Sequence, residues 1–152
     1  MESPNLFIGI DPGKKGGIAA TTGKLSICSK CPDTVADMAA LLSSIIDMGN
    51  RPICTIEHVH SFPGNSARSM FTFGSNYGMW LGILASLKIP YLEVTPTKWM
   101  KHYSALPKDK KARKTKLKHL AQQRYPELHI TLDTSDAVLL AHYSFTNYKQ
   151  YS

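Results

Sequence analysis

Hydrophobic positions come in two rhythms along the chain, and the switch between them sets the predicted elements. Leu6 to Asp11 (LFIGID) is an apolar run that ends in a carboxylate, followed by the Pro12 to Gly17 turn (PGKKGG). Gly17 to Thr21 and Lys24 to Cys28 read as two further short strands, with turns at Gly13 to Gly16 and Thr22-Gly23. The opening is therefore a three-stranded antiparallel meander. From Asp33 or Thr34, both good N-caps, the period changes: Val35, Met38, Ala39, Leu41, Leu42, Ile45 and Ile46 recur at helical spacing until Gly49-Asn50. Ile53 to Val59 (ICTIEHV) returns to strand, β-branched and apolar until Glu57.

After the His60 to Arg68 loop, Asn65 or Ser66 opens a long helix to about Leu87. Gly74, Gly78 and Gly82 recur every four residues and line one of its faces, near Met70, Phe71, Tyr77, Leu81 and Leu84. Helix glycines cost about 1 kcal/mol each relative to Ala, so the stripe implies a close approach by another backbone. The candidates are the domain's own sheet or the same helix of a second subunit, and a homodimer is the preferred of the two. Tyr91 to Val94 is the next strand, and Thr95-Pro96 starts a helix. A second helix runs from about Asp109 to Tyr125, stopped by Pro126, and a last apolar one from Ala137 to Tyr148, with Thr134 or Ser135 as its cap. The 152 residues form one domain, an α/β fold with five strands, three antiparallel ones first, flanked by helices.

Charge sharpens the picture. The net charge is +7, from 18 basic and 11 acidic residues, which favours a polyanionic partner. Half of the basic residues fall between Lys98 and Lys118: Lys98, Lys101, Lys108, Lys110, Lys111, Arg113, Lys114, Lys116 and Lys118, against the single acid Asp109. So one-sided a run points to nucleic acid. The longest apolar stretch, Met79 to Leu87, is too short to cross a bilayer, and MESPNLF lacks the order of a signal peptide, so a cytoplasmic location without membrane contact is expected. Cys28 and Cys31 form a C-x-x-C without a second pair, read as two ordinary thiols rather than a zinc or redox site.

Candidate chemistry lies where carboxylates interrupt apolar patterns. Asp11 and Glu57 each end a buried strand, a costly place for a charge unless something compensates it. In an open sheet ligands sit outside the carboxyl ends of parallel strands, so if these two strands are parallel, Asp11 and Glu57 share one crevice. Asp133 and Asp136 open the last helix three residues apart, and project from one side if both lie at the helix start. Four converging carboxylates repel one another, and divalent metal relieves that repulsion; an all-oxygen set suits Mg²⁺ or Mn²⁺. Two ions can activate water and stabilise the leaving oxygen of a phosphodiester. Acids plus a basic patch read as a metal-dependent nuclease.

These residues carry a family resemblance. GIDPG at Gly9 to Gly13, TIE ending at Glu57, the glycine-punctuated helix and DTSDA at Asp133 to Ala137 resemble RuvC, the Holliday junction resolvase of the RNase H-like fold, in matching element order over essentially the whole chain. The resemblance implies a homodimer that nicks four-way or branched DNA symmetrically, with two Mg²⁺ ions per site, for which Mn²⁺ can substitute. It implies that Asp11, Glu57, Asp133 and Asp136 are the metal-binding catalytic acids. Lys98 is chosen from the basic segment as the catalytic lysine, with Lys14, Lys15, His60, Phe62, Arg68, Lys101 and the lysines and arginine from Lys108 to Lys118 as DNA contacts. The helix bearing Phe71, Gly74, Gly78 and Gly82 is expected at the dimer interface.

The chain departs from bacterial members at Lys15-Gly16-Gly17, where they carry Thr-Gly, and at His60, where they carry an aromatic residue. SMFTFGSNYG (Ser69 to Gly78) and T-P-T-K-W (Thr95 to Trp99) are more similar to phage resolvases, with a poxvirus-type relative also admitted. Rival readings are a YqgF-type nuclease acting on structured RNA, a junction-binding protein without activity, and a sugar kinase or actin-like ATPase. The last needs a second lobe around its nucleotide, for which the length leaves no room, so no nucleotide cofactor is expected.

Overall fold

The structure, a computed structural model, describes residues 5–58, 64–103 and 105–151. Strands β1 (Leu6–Asp11), β2 (Gly17–Thr21) and β3 (Ser26–Lys30) form the antiparallel meander. Helix α1 (Val35–Ile45) then leads through a short 3-10 turn (Ile46–Met48) into β4 (Pro52–Glu57). Helix α2 (Ala67–Ser86), β5 (Tyr91–Val94), and helices α3 (Pro96–Met100), α4 (Lys110–Arg124) and α5 (Ser135–Tyr151) complete the order. The third strand lies two residues later than the pattern predicts. Its pairing with β2 (Ala19 opposite Cys28, Gly17 opposite Lys30) sets that frame, because cross-strand hydrogen bonds outweigh the local apolar count.

The helix starts follow local chemistry. The hydroxyls of Thr34, Ser66 and Thr95 and the carboxylate of Asp109 each accept a backbone N–H three residues on, at 2.9–3.2 Å. At α5 the Thr134 carbonyl accepts from Val138, while its hydroxyl accepts from Thr131 and fastens the preceding turn.

The sheet order is β3-β2-β1-β4-β5, with β4 parallel to both β1 and β5. Alternation splits β1 between two cores. Leu6, Ile8 and Ile10 join Ile56 of β4 and Met38, Leu42, Trp80 and Leu84 of α1 and α2 on one face. Each such fully buried Leu or Ile stabilises the fold by about 1.5–3 kcal/mol. The other face lies under α5, and the second core gathers Ala19, Val94, Trp99, Leu117 and residues 137–141. Gly9 makes that contact possible: a Cβ there would meet the Ala137 carbonyl and the Ala141 nitrogen at 2.3 Å. The start of α5 is thereby drawn down onto β1, two residues before Asp11.

Among the described residues no helix is long and apolar enough to cross a membrane. Cys28, Cys31 and Cys54 are free thiols, each pushed upward in pKa mainly by burial. Cys28 and Cys31 donate to the carbonyls of His129 and Pro32.

Candidate active site

In the parallel register of β1 and β4, Ile10 lies opposite Ile56, so the next step sets Asp11 beside Glu57. Both follow residues that face the first core, so both carboxylates turn toward α5. Asp136, in the first turn of α5, completes the group: one oxygen from each of Asp11, Glu57 and Asp136 lies within 4.8 Å of the others. Glu57 and Asp136 are each only 7% exposed, a desolvation that demands compensation.

The electrostatics record the strain of that arrangement. Burial lifts the Asp11 carboxyl well above its usual range, and Glu57, Asp136 and Asp133 push it further while Lys114 opposes them. Burial pushes Glu57 up to about 7, against the lowering effect of an indole hydrogen bond from Trp99. Asp136 is raised by burial and drawn back by Lys114 and Arg113. Among the described residues its Oδ1 is buried without a hydrogen-bond partner. Three clustered carboxylates, one with an orphaned oxygen, fit a hard divalent cation, which would satisfy the orphan and cancel the repulsion.

Asp133 stands apart from the three. It occupies the turn before α5, half-buried, and acts on Asp11 as a neighbouring charge. Of the two, Asp136 lies in the first turn of α5 and Asp133 in the turn before it, and both act on the Asp11 carboxyl.

The basic residues separate into distinct surfaces. Lys114 and Arg113 precede buried Leu117 by three and four residues, so they share the packed face of α4 and reach the carboxylates. Among the described residues Lys114 is the one lysine acting on all three acids, and its ammonium also donates to the Leu132 carbonyl. Lys108, Lys110, Lys111 and Lys116 are exposed, and Lys118 is partly so. Lys98 and Lys101 lie exposed at α3, where Lys98 borders a groove with Thr55, Tyr143 and Tyr148. Lys14, Lys15 and Arg68 line a cavity of about 450 Å³ that opens beside Asp11, with Phe73 on its wall. His60 and Phe62 lie outside the described residues.

On α2, Gly74, Gly78 and Gly82 are exposed, and among the described residues a Cβ at any of them would meet no atom within 4 Å beyond the helix's own backbone. The domain's own sheet is therefore not what approaches the stripe. Phe71, one turn earlier, is 76% exposed.

Three residues of the site escape a reading by pattern. Asn76 accepts the Gly13 N–H at 2.7 Å, Phe73 covers Gly13, and Trp99 donates to Glu57. Lys114 was visible within the basic run, and its phase relative to Leu117 narrows that run to Arg113 and Lys114 without separating the two.

No protein-family model and no curated protein matches the sequence. Solved structures do match. Thermus thermophilus RuvC bound to a Holliday junction superposes with a TM-score of 0.69 at 13% identity, covering 97% of this chain and 96% of that one. This is the RNase H-like fold of RuvC. A second T. thermophilus RuvC structure gives a TM-score of 0.63 at 14% identity, covering 96% of each chain. Fowlpox virus resolvase, complexed with Holliday junction DNA, gives 0.52 at 11% identity, covering 94% of this chain and 98% of that one.

Proposed function

We propose that this protein is a metal-dependent, structure-specific DNA endonuclease that resolves four-way junctions. The observation that carries the reading is the convergence of Asp11, Glu57 and Asp136 at the carboxyl ends of paired parallel strands, with Lys114 beside them, in the fold of RuvC.

Asp11, Glu57 and Asp136 would hold divalent metal, Mg²⁺ with Mn²⁺ as a substitute, and Asp133 at the rim adds negative charge. Bound metal supplies a Lewis acid that activates water and stabilises the leaving oxygen of a phosphodiester. Lys114 and Arg113 offset the charge of the acids and of an incoming phosphate. The cavity lined by Lys14, Lys15 and Arg68 accepts the backbone next to Asp11. Exposed lysines of α3 and α4 grip neighbouring phosphates, with an affinity that falls steeply with salt. Lys98 belongs with this gripping group, and Lys114 takes the role nearest the chemistry.

Symmetric nicking requires two sites, and the open glycine stripe of α2 supplies a surface for a second copy. The T-P-T-K-W segment favours a phage-type enzyme working in the cytoplasm of a bacterial or infected cell. The test is a gel assay of wild type and Asp11→Asn on a labelled four-way junction and a linear duplex, with Mg²⁺, Mn²⁺ or chelator. Paired nicks at the junction that need metal and vanish in the variant, while binding persists, are expected. Binding without cleavage under every metal overturns the reading in favour of a junction-binding protein.

A further inference from the structure

Trp99 is fully buried and its indole N–H donates to Glu57 Oε2 at 2.6 Å. An indole is a donor only, so it can hold an acceptor and nothing else. Of the two fully buried indoles, Trp80 lies against the Cys31 thiol, and Trp99 is the one that, among the described residues, holds a carboxylate. The Trp99 bond is fixed from several directions. Thr95 caps α3 and Pro96 starts it, directly after Val94, which pairs with Glu57 across β5 and β4. The Tyr103 ring backs the indole edge-on at 6.2 Å. A five-residue helix thus carries Lys98 on its exposed side, with Lys101 as its C-cap, and the Glu57 clamp on its buried side.

We infer that Trp99 is a positioning residue for the metal centre, fixing the Glu57 carboxylate so that it enters the Asp11–Asp136 group in one orientation. The inference rests on the nuclease reading and extends it to a residue that touches neither metal nor DNA. Partners that orient metal ligands from behind typically change metal affinity 10- to 100-fold when removed.

The test uses the full chain. Trp99→Phe keeps an aromatic ring and removes the donor, and Mn²⁺ binding is followed without DNA by calorimetry and electron paramagnetic resonance. Mn²⁺ affinity is expected to fall at least 10-fold, with junction binding in chelator unchanged and nicking recovered at raised metal concentration. A folded Trp99→Phe that binds Mn²⁺ as tightly as wild type overturns the inference. Trp80→Phe provides a second measurement, because it leaves Trp99 as the sole tryptophan of the two. Its emission is expected to shift as Mg²⁺ saturates the site. Silent emission at a saturation established by calorimetry also overturns the inference. Wild-type protein that binds no metal overturns instead the nuclease reading beneath it.

Discussion

Asn76 Oδ1 accepts the backbone N–H of Gly13 at 2.7 Å, tying the middle of α2 to the turn that directly follows Asp11. Gly13 has φ of +119°, a conformation reserved for glycine, and Phe73 one turn earlier on α2 covers it. The Asn76 amide also donates to Cys31 Sγ, so one side chain joins α2, the turn and the end of the meander. Asn76→Ala leaves the Gly13 donor unmatched and is expected to cost about 1–3 kcal/mol. Thermal unfolding and single-turnover nicking check this, and a variant unchanged in both removes Asn76 from the support of the site.

Stability should depend on pH with a definite sign in the absence of metal. Glu57 rises in the folded chain from an ordinary 4.5 to about 7. Between those values the folded state binds more protons than the unfolded one, so stability falls as pH rises through that window. The loss is on the order of 3 kcal/mol at most. Asp11 and Asp136 shift in the same direction and add to it. In chelator the melting temperature is expected to drop from pH 5 to pH 8, and Mg²⁺ should restore it. Glu57→Gln should melt higher than wild type in chelator at pH 8, retaining an acceptor for Trp99, while losing nicking. A flat melting profile in chelator would contradict the clustering of the acids.

Lys114 and Lys98 are expected to separate in kinetics. Lys114→Met removes the cation acting on all three acids and should lower the nicking rate about 100-fold, a typical loss for one transition-state charge contact. Lys98→Ala should change mainly junction affinity, reducing its salt dependence by about one phosphate contact. Saturating single-turnover rates beside salt-dependent binding distinguish the two. The reverse pattern would return the catalytic lysine to α3.

The glycine stripe makes a two-sided prediction. With open space at each Cβ position, Gly78→Ala should stabilise an isolated helix by about 1 kcal/mol. Gly78→Arg should leave the fold intact but split a dimer formed through α2, which sedimentation velocity measures directly. Dimers that persist in Gly78→Arg would move the interface elsewhere.

Much of the fold is local in origin and could be read along the chain. The meander, the cap at Thr95, helix starts narrowed to Asp33 or Thr34 and to Asn65 or Ser66, and the element order follow from alternation, helical period and turn residues, which act over a few neighbours. Asp11 and Glu57 could be singled out the same way, because each breaks an apolar run at its end. The position of β3 could not, since its frame comes from pairing with β2.

The sequence by itself therefore determined the elements and the residues with chemical potential, and the tertiary structure decided which of them meet. Parallel pairing of β1 with β4 put Asp11 beside Glu57, and the seat that Gly9 offers α5 brought in Asp136 while leaving Asp133 in the turn. Packing of α4 through Leu117 selected Lys114 from nine neighbouring cations. Trp99 reached Glu57 across 42 positions of chain. Such choices rest on contacts between residues far apart in sequence, and no periodicity along the chain encodes a distance between them.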